Sequence, residues 1–278
     1  MGTIREETRG KLTLRLVEMK GRYAGVVISS KGREALLEGD NPDELWRRLE
    51  QEAARSDKSY FGFAGARARF LNFFPDGFVG TRYVVEERDY KLAAKAKLDA
   101  TLPLGQALDS KGIGDAAWVA FRMTNLLSPY EMMRVKDLLH STVADSFVRG
   151  AARFATGQGA PALAQMAEAA RAHNAAKWTT VTYLPFLWRP DAHMFLKPEV
   201  TKDFAARVGH PFIHAYQPQL DYGVYESLLD MMQTTRAEIA DLGPRDYIDI
   251  QSFVWTVGAY TDKDTPPEPE AEKVGEPI

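Results

Sequence analysis

Apolar and polar residues alternate near the start of the chain, as they do in β-strands that bury one face. Leu12, Leu14 and Leu16 occupy alternate positions of residues 12–17. An apolar run, YAGVVIS, fills residues 23–29. Residues 35–38 are a candidate for a short third strand. Asn41 then suits the N-cap of a helix, and the proline after it suits the first helical position. This order predicts a small β-β-(β)-α module over residues 1–58.

Residues 59–176 have apolar positions three to four residues apart, which is typical of helices. Turn sequences such as Pro-Asp-Gly interrupt the pattern. On the second helix of this region, Tyr83, Val85, Leu92 and Ala96 form the side that we expect to be buried. The predicted helices span residues 64–74, 81–100, 116–127, 129–140 and 160–176.

Residues 177–261 combine two patterns and predict a mixed α/β region that packs on the helical one. Residues 178–188 begin with β-branched and aromatic residues, which favour a strand. Residues 193–196 form a second, shorter strand candidate. Helices are predicted at 201–208, at 223–242 and after Asp246. The fold class is therefore α+β and mainly helical: a small amino-terminal β-sheet plus helix module, followed by a helical body.

The last segment, residues 262–278, has four prolines and six acidic against two basic side chains. Such a segment buries too little apolar surface to offset the entropy lost on ordering. We therefore predict a disordered acidic tail. The whole chain has a formal net charge of −3, so the rest is nearly neutral. This balance excludes a globally basic nucleic-acid-binding protein, but not a local basic patch.

The chain contains no cysteine. This excludes disulfides, thiolate nucleophiles and cysteine-ligated metal sites. Residues 1–10 lack the apolar core of a secretory signal, and no apolar stretch approaches the roughly 20 residues that span a bilayer. The sequence therefore predicts a cytoplasmic protein with no membrane partner.

Two basic features predict a nucleic-acid-binding surface. Arg88, Lys91 and Lys95 are spaced i, i+3 and i+7, which aligns them along one side of a helix. Arg67 and Arg69 lie on the preceding helix, which is rich in phenylalanine. Basic side chains beside aromatic rings suit single-stranded nucleic acid, because the charges bind phosphates and the rings stack on bases. The alternative is a solvated helix face over an apolar core.

Two sets of residues are candidates for catalysis. Asp246 and Asp249 could be metal-binding carboxylates of a degenerate nuclease signature, or simply the cap and first-turn acid of a helix. Arg134 and His140 resemble the Arg-x5-His motif of HEPN-type ribonucleases, which implies metal-free RNA cleavage. The chain departs from that motif at Val135, where the family usually has a polar residue.

The histidines are the remaining candidates for metal binding. His210 and His214 are four residues apart, and His193 is nearby in the sequence. However, the proline after His210 disfavours a helix there, and surface or core-edge histidines explain the pattern equally. The sequence contains no phosphate-binding loop, dinucleotide fingerprint or serine-hydrolase motif. We therefore expect no cofactor.

These observations favour a non-enzymatic cytoplasmic accessory protein that contacts nucleic acid or a nucleic-acid-bound partner. One alternative is a divalent-metal or HEPN-like nuclease, so the sequence leaves open whether the chain is an enzyme. Another is a protein–protein scaffold that uses exposed aromatic residues around Tyr183–Trp188.

Overall fold

Four antiparallel strands and one helix form the amino-terminal module in the computed structural model, which describes residues 2–9, 11–19, 21–55 and 60–264. Each strand pairs with the next one in the chain, in the order β1-β2-β3-β4. The elements are β1 (Gly2–Arg9), β2 (Leu12–Met19), β3 (Arg22–Ser29), β4 (Gly32–Gly39) and α1 (Pro42–Arg55).

The start of α1 follows from local chemistry. Asn41 Oδ1 accepts hydrogen bonds of 3.0 Å from the backbone N–H groups of Asp43 and Glu44, so the predicted cap is confirmed. The buried face of α1 then covers the buried face of the sheet and forms a separate small core. Its buried members are Leu14, Leu16, Val27, Leu45, Trp46, Leu49 and Ala53.

The rest of the described chain is helical, which confirms the α+β, mainly helical fold class. One continuous hydrophobic core extends from Ala66 to Val257, so the predicted regions 59–176 and 177–261 share it. The helices are α2 (Gly62–Phe73), α3 (Thr81–Tyr83), α4 (Asp89–Thr101), α5 (Leu104–Ala107), α6 (Gly114–Phe121), α7 (Pro129–Leu139), α8 (Ala144–Ala155), α9 (Gly159–Arg171), α10 (Trp178–Val181), α11 (Tyr183–Trp188), α12 (Pro198–Val208), α13 (Phe212–Ala215), α14 (Tyr222–Glu238) and α15 (Tyr247–Ala259).

The strands predicted for residues 178–188 and 193–196 are wrong. The first segment forms α10 and α11, and the second is irregular. Pro185 is tolerated because it lies in the first turn of α11, where its missing N–H would have no helical partner. Tyr183–Trp188 is buried throughout, so the exposed aromatic surface expected there for a scaffold is also wrong. Burial on all sides has outweighed the strand preference of the β-branched residues.

The carboxy terminus of the described chain is a short 3-10 helix, Asp262–Asp264. The remainder of the predicted disordered tail, residues 265–278, lies outside the described residues. Among the helices that are described, none is both long enough and apolar enough to cross a membrane.

Candidate functional site

A π-helical turn, Val84–Arg88, lies between α3 and α4 and joins them into one helical segment. A π turn contains one residue more than an α turn, so it rotates every later side chain relative to a regular helix. Here it places Glu87 and Arg88 next to each other on the buried face. Turns of this kind are frequent at functional sites. The residues around this one therefore define the candidate site.

Asp249, in the first turn of α15, is fully buried and accepts hydrogen bonds on both oxygens. The Tyr83 hydroxyl donates at 2.6 Å, and Arg88 Nη1 donates at 2.7 Å. Arg245 donates its backbone N–H at 2.8 Å and two guanidinium N–H groups at 2.9 and 3.1 Å. Burial alone would raise the pKa of Asp249, but the hydrogen bonds from Arg245 and Tyr83 outweigh it and hold that pKa below its usual value.

Arg88 also binds Asp246, the N-cap residue of α15. Its two terminal nitrogens contact the two Asp246 oxygens at 2.9 and 2.7 Å. The same carboxylate accepts the backbone N–H groups of Ile248 and Asp249, so the predicted capping role of Asp246 is confirmed. The network therefore fixes the start of α15 against the π-helical turn.

A second buried ion pair lies one turn further along, between Glu87 and Lys91. Lys91 Nζ contacts Glu87 Oε2 at 2.9 Å and Ser252 Oγ at 2.8 Å. Glu87 Oε1 accepts a hydrogen bond of 2.9 Å from the Tyr260 hydroxyl. Burial lowers the pKa of the Lys91 ammonium, and the Glu87 carboxylate opposes that shift. Each Glu87 oxygen still has capacity for a further donor, because a carboxylate offers about four acceptor positions.

A cavity of about 70 Å³ opens beside this ion pair. Tyr90, Phe195 and Trp255 give it aromatic walls, and Glu87 and Gln251 are polar groups of its lining. Burial raises the pKa of the Tyr90 hydroxyl, and nearby Glu87 raises it further, so this hydroxyl stays protonated. The cavity thus combines aromatic surface with a small number of hydrogen-bonding groups, as ligand sites do.

The mouth of the cavity faces solvent through the exposed residues Glu86 and Asn125. Lys197 is half-buried in the lining, and its Nζ donates to the Leu126 carbonyl at 2.9 Å. The same nitrogen lies 3.6 Å from Glu131 Oε2 on α7. The lining of the cavity therefore includes an ammonium group that is held by the Leu126 carbonyl.

Gln251 has an unmet hydrogen-bonding requirement. Its side chain is 4 % exposed, and its Oε1 is buried and accepts no hydrogen bond from any residue that the structure describes. Leaving such an oxygen unpaired costs about 1–3 kcal/mol. A ligand that donates a hydrogen bond would satisfy it.

Arg88, Lys91 and Lys95 do not form the exposed cationic stripe that the sequence predicts. Lys91 is fully buried and Arg88 nearly so, whereas Val85, expected on the buried side, is 63 % exposed. The π-helical turn shifts the helical register, so that Asp246 and Asp249 compensate Arg88, and Glu87 compensates Lys91. Lys95 is half-buried and binds Asp99 at 2.8 Å.

The other two predicted nucleic-acid-binding residues are also used within the protein. Arg67 forms an ion pair with Asp241. Arg69 donates to the backbone carbonyls of Val257 at 3.0 Å and Tyr260 at 2.5 Å. Nucleic-acid binding by these residues stays a prediction, but their geometry gives it no support.

The structure supports neither set of candidate catalytic residues. Arg134 is exposed and forms no hydrogen bond or ion pair with His140, whose Nε2 lies 3.1 Å from Asp115 Oδ1. Both oxygens of Asp249 are occupied by donors, and Asp246 is held by Arg88 and by its capping bonds. Neither carboxylate is left free to coordinate a metal ion.

The three histidines considered as metal ligands have other partners. His193 Nδ1 lies 3.1 Å from the Tyr225 hydroxyl, and His210 Nε2 lies 3.2 Å from Asp230 Oδ2. His214 is on α13. Over residues 2–9, 11–19, 21–55 and 60–264, no group of three or more potential ligands is assembled for a metal ion.

His193 makes stability depend on pH. Burial lowers the pKa of its ring to about 4 from the usual 6.5, so the folded protein holds it neutral. The unfolded chain binds a proton first as pH falls, so this contribution to stability is complete above pH 6.5 and is lost towards pH 4. We expect the free energy of unfolding to fall by about 3 kcal/mol across that window. In urea unfolding experiments, the free energy of unfolding of His193→Gln should depend less on pH between 6.5 and 4 than that of the wild-type protein. His173→Gln is the control. An unchanged pH dependence in His193→Gln, or an equal reduction in the control, would contradict this role.

A larger groove of about 920 Å³ separates the amino-terminal module from the helical body. Its lining includes four carboxylates, so it does not suit a polyanion. The connecting residues 56–59 lie outside the part of the chain that the structure describes, so we assign the groove no function. The carboxylates belong to Glu50, Glu226, Asp230 and Glu238.

No family model, curated protein or solved structure matches this chain.

The residues that line the cavity were missed at the level of sequence. Tyr90, Phe195, Lys197 and Trp255 are distant in the chain and share no motif. Gln251 did carry a signal, because it is an uncharged polar residue among the apolar positions of the last helix. A polar side chain that is buried needs a partner.

Proposed function

We propose that this chain is a non-enzymatic protein that contacts nucleic acid by taking the amino-bearing edge of an unpaired base into the cavity. The observation that carries the proposal is the buried, unpaired Oε1 of Gln251, a residue that lines a cavity with aromatic walls. The cytoplasmic accessory role expected from the sequence belongs to the same proposal.

The buried acceptor groups of the cavity lining favour a ligand that donates hydrogen bonds. Gln251 Oε1 needs one donor, and Glu87 has acceptor capacity beyond Lys91 and Tyr260. An exocyclic amino group has two N–H bonds and could serve both acceptors. Carboxylate and amide side chains recognise the amino groups of cytosine and adenine in this way.

The aromatic residues and the size of the cavity favour a flat group that enters by its edge. Unpaired bases stack on aromatic side chains, and Tyr90 and Trp255 are half-buried where a base could lie against them. A cavity of about 70 Å³ has room for the amino edge of a base.

Lys197 suits the opposite end of the same ligand. Its ammonium has three N–H donors, and the described contacts are the Leu126 carbonyl and the more distant Glu131 carboxylate. The remaining donor capacity fits a base carbonyl or a phosphate at the mouth. Acceptors inside and a cation outside thus match the polarity of an amino-bearing nucleotide.

Binding of oligodeoxycytidylate and oligothymidylate of equal length tests this function, because thymine has no amino group. Fluorescence anisotropy should show about tenfold or tighter binding of the cytidine strand by the wild-type protein. Gln251→Met should bind both strands equally, and Gln106→Met, an exposed control on α5, should keep the preference.

Absence of binding, or equal binding of the two strands by the wild-type protein, would overturn the proposal. The strands should also be recovered intact after incubation. Cleavage would favour the nuclease alternative instead.

Gln251→Met should also stabilise the protein without ligand. The substitution keeps a side chain of similar length and removes a buried oxygen that has no donor. We expect the free energy of unfolding to rise by about 1 kcal/mol in urea titrations. A loss of stability of that size would instead mean that Gln251 has a structural partner.

A further inference from the structure

Helices α6 and α7 form an antiparallel hairpin beside the cavity. Gly114, at the start of α6, is so close to α7 that an added Cβ would lie 2.0 Å from the Leu139 carbonyl oxygen. At the same end, His140 contacts Asp115 at 3.1 Å. The end of α6 therefore comes next to the start of α7, and the connection between them contains Asn125 and Leu126 of the cavity lining.

The free end of this hairpin exposes aromatic, apolar and cationic groups together. Tyr130 is 74 % exposed and Met133 is 56 % exposed. With Arg134 they occupy positions i, i+3 and i+4 of α7, which share one side of a helix. Arg122 is exposed at the C-cap of α6. We call Arg122, Tyr130, Met133 and Arg134 the hairpin surface.

The charges of the hairpin surface are unpaired. Neither Arg122 nor Arg134 makes a side-chain hydrogen bond or ion pair with a described residue. By contrast, Arg67, Arg88 and Arg245 of the same helical body all bind carboxylates. An uncompensated guanidinium group one helical turn from an exposed aromatic ring, with a second at the end of the neighbouring helix, complements the phosphates and bases of a single strand.

We propose that the hairpin surface carries the nucleic-acid strand next to the base held in the cavity. This inference rests on the proposed function. Tyr130 stacks on a neighbouring base, and Arg122 and Arg134 bind phosphates. The surface continues to the cavity through Glu131, which follows Tyr130 and lies 3.6 Å from Lys197 of the cavity lining. The cavity thereby determines base preference, and the hairpin surface supplies affinity that is independent of sequence.

The test combines Arg122→Gln with Arg134→Gln and measures oligodeoxycytidylate binding at several salt concentrations. Loss of two phosphate contacts should lower the log–log salt slope by about 1.4. The control, Arg33→Gln with Arg48→Gln, makes the same change of charge at exposed positions of the amino-terminal module. It should leave the slope nearly unchanged.

Tyr130→Ala tests stacking separately and should weaken binding of both cytidine and thymidine strands by roughly 5- to 150-fold. In all hairpin variants the preference for cytidine should persist, which distinguishes this inference from the proposed function. If the hairpin variants bind like the control while Gln251→Met loses the preference, the strand does not follow this surface. If Tyr130→Ala changes only self-association, the surface binds a second copy of the chain, and the inference is also overturned.

Discussion

Asp249→Ala should lower the free energy of unfolding by about 3–5 kcal/mol, because it leaves buried donors without an acceptor and removes one of the two carboxylates that compensate Arg88. Asp249 has no exposed side-chain surface. Without it, the Tyr83 hydroxyl and the Arg245 backbone N–H lose their acceptor. Arg88 keeps only Asp246.

Chemical denaturation measures this change, and Asp241→Ala is the matched control. Asp241 also pairs with an arginine, Arg67, but its side chain is 56 % exposed. Exposed ion pairs contribute about 0–1 kcal/mol, so the control should remain close to the wild-type protein. Equal losses for the two variants would show that Asp249 is not a buried anchor.

Lys91→Met should also cost about 3–5 kcal/mol, because it leaves the Glu87 carboxylate without its buried countercharge. Methionine has a similar length, so the loss is electrostatic rather than one of packing. Lys97→Met, on an exposed position of the same helix, should change the free energy of unfolding by less than about 0.5 kcal/mol. Similar effects of the two substitutions would contradict the buried pair.

The double variant Glu87→Gln/Lys91→Met separates the ion pair from the packing around it. Replacing both members of a buried pair by neutral groups is often close to neutral, whereas removing one is costly. We therefore expect the double variant to recover at least half of the loss in Lys91→Met. Urea unfolding of both single variants and the double variant measures this. If the loss in the double variant equals the sum of the losses in the two single variants, the residues do not interact.

Local signals in the sequence predict several helix starts correctly, although helix α8 (Ala144–Ala155) was missed and α6 ends at Phe121, before the predicted residue 127. The Asn41 and Asp246 caps were correctly predicted, and Ser128 with Glu131 forms a capping box at the start of α7. The chemistry of a cap involves only a few consecutive residues, so it can be recognised without the fold. Strand β1 was missed for the complementary reason. Its residues are mostly exposed at the edge of the sheet, so they show no apolar alternation.

The buried face of the helical segment around the π turn could not be predicted in this way. The stripe formed by Arg88 and Lys91 was correctly aligned, but it faces the core rather than solvent. Its burial depends on Asp249 and Ser252, which lie some 160 positions later in the chain. Helical periodicity does not contain that information. The cavity escaped prediction for the same reason, because its lining is assembled by tertiary packing.

We propose that the cavity recognises the amino group of a base. The most direct measurement compares two oligothymidylates that differ at one central position, dC in one and dU in the other. Both bases are pyrimidines. Where cytosine has its amino group, uracil has a carbonyl oxygen, and the adjacent ring nitrogen carries a proton only in uracil. We expect the wild-type protein to bind the dC strand about tenfold more tightly and Gln251→Met to bind both alike. Equal affinity of the wild-type protein for the two strands would contradict it.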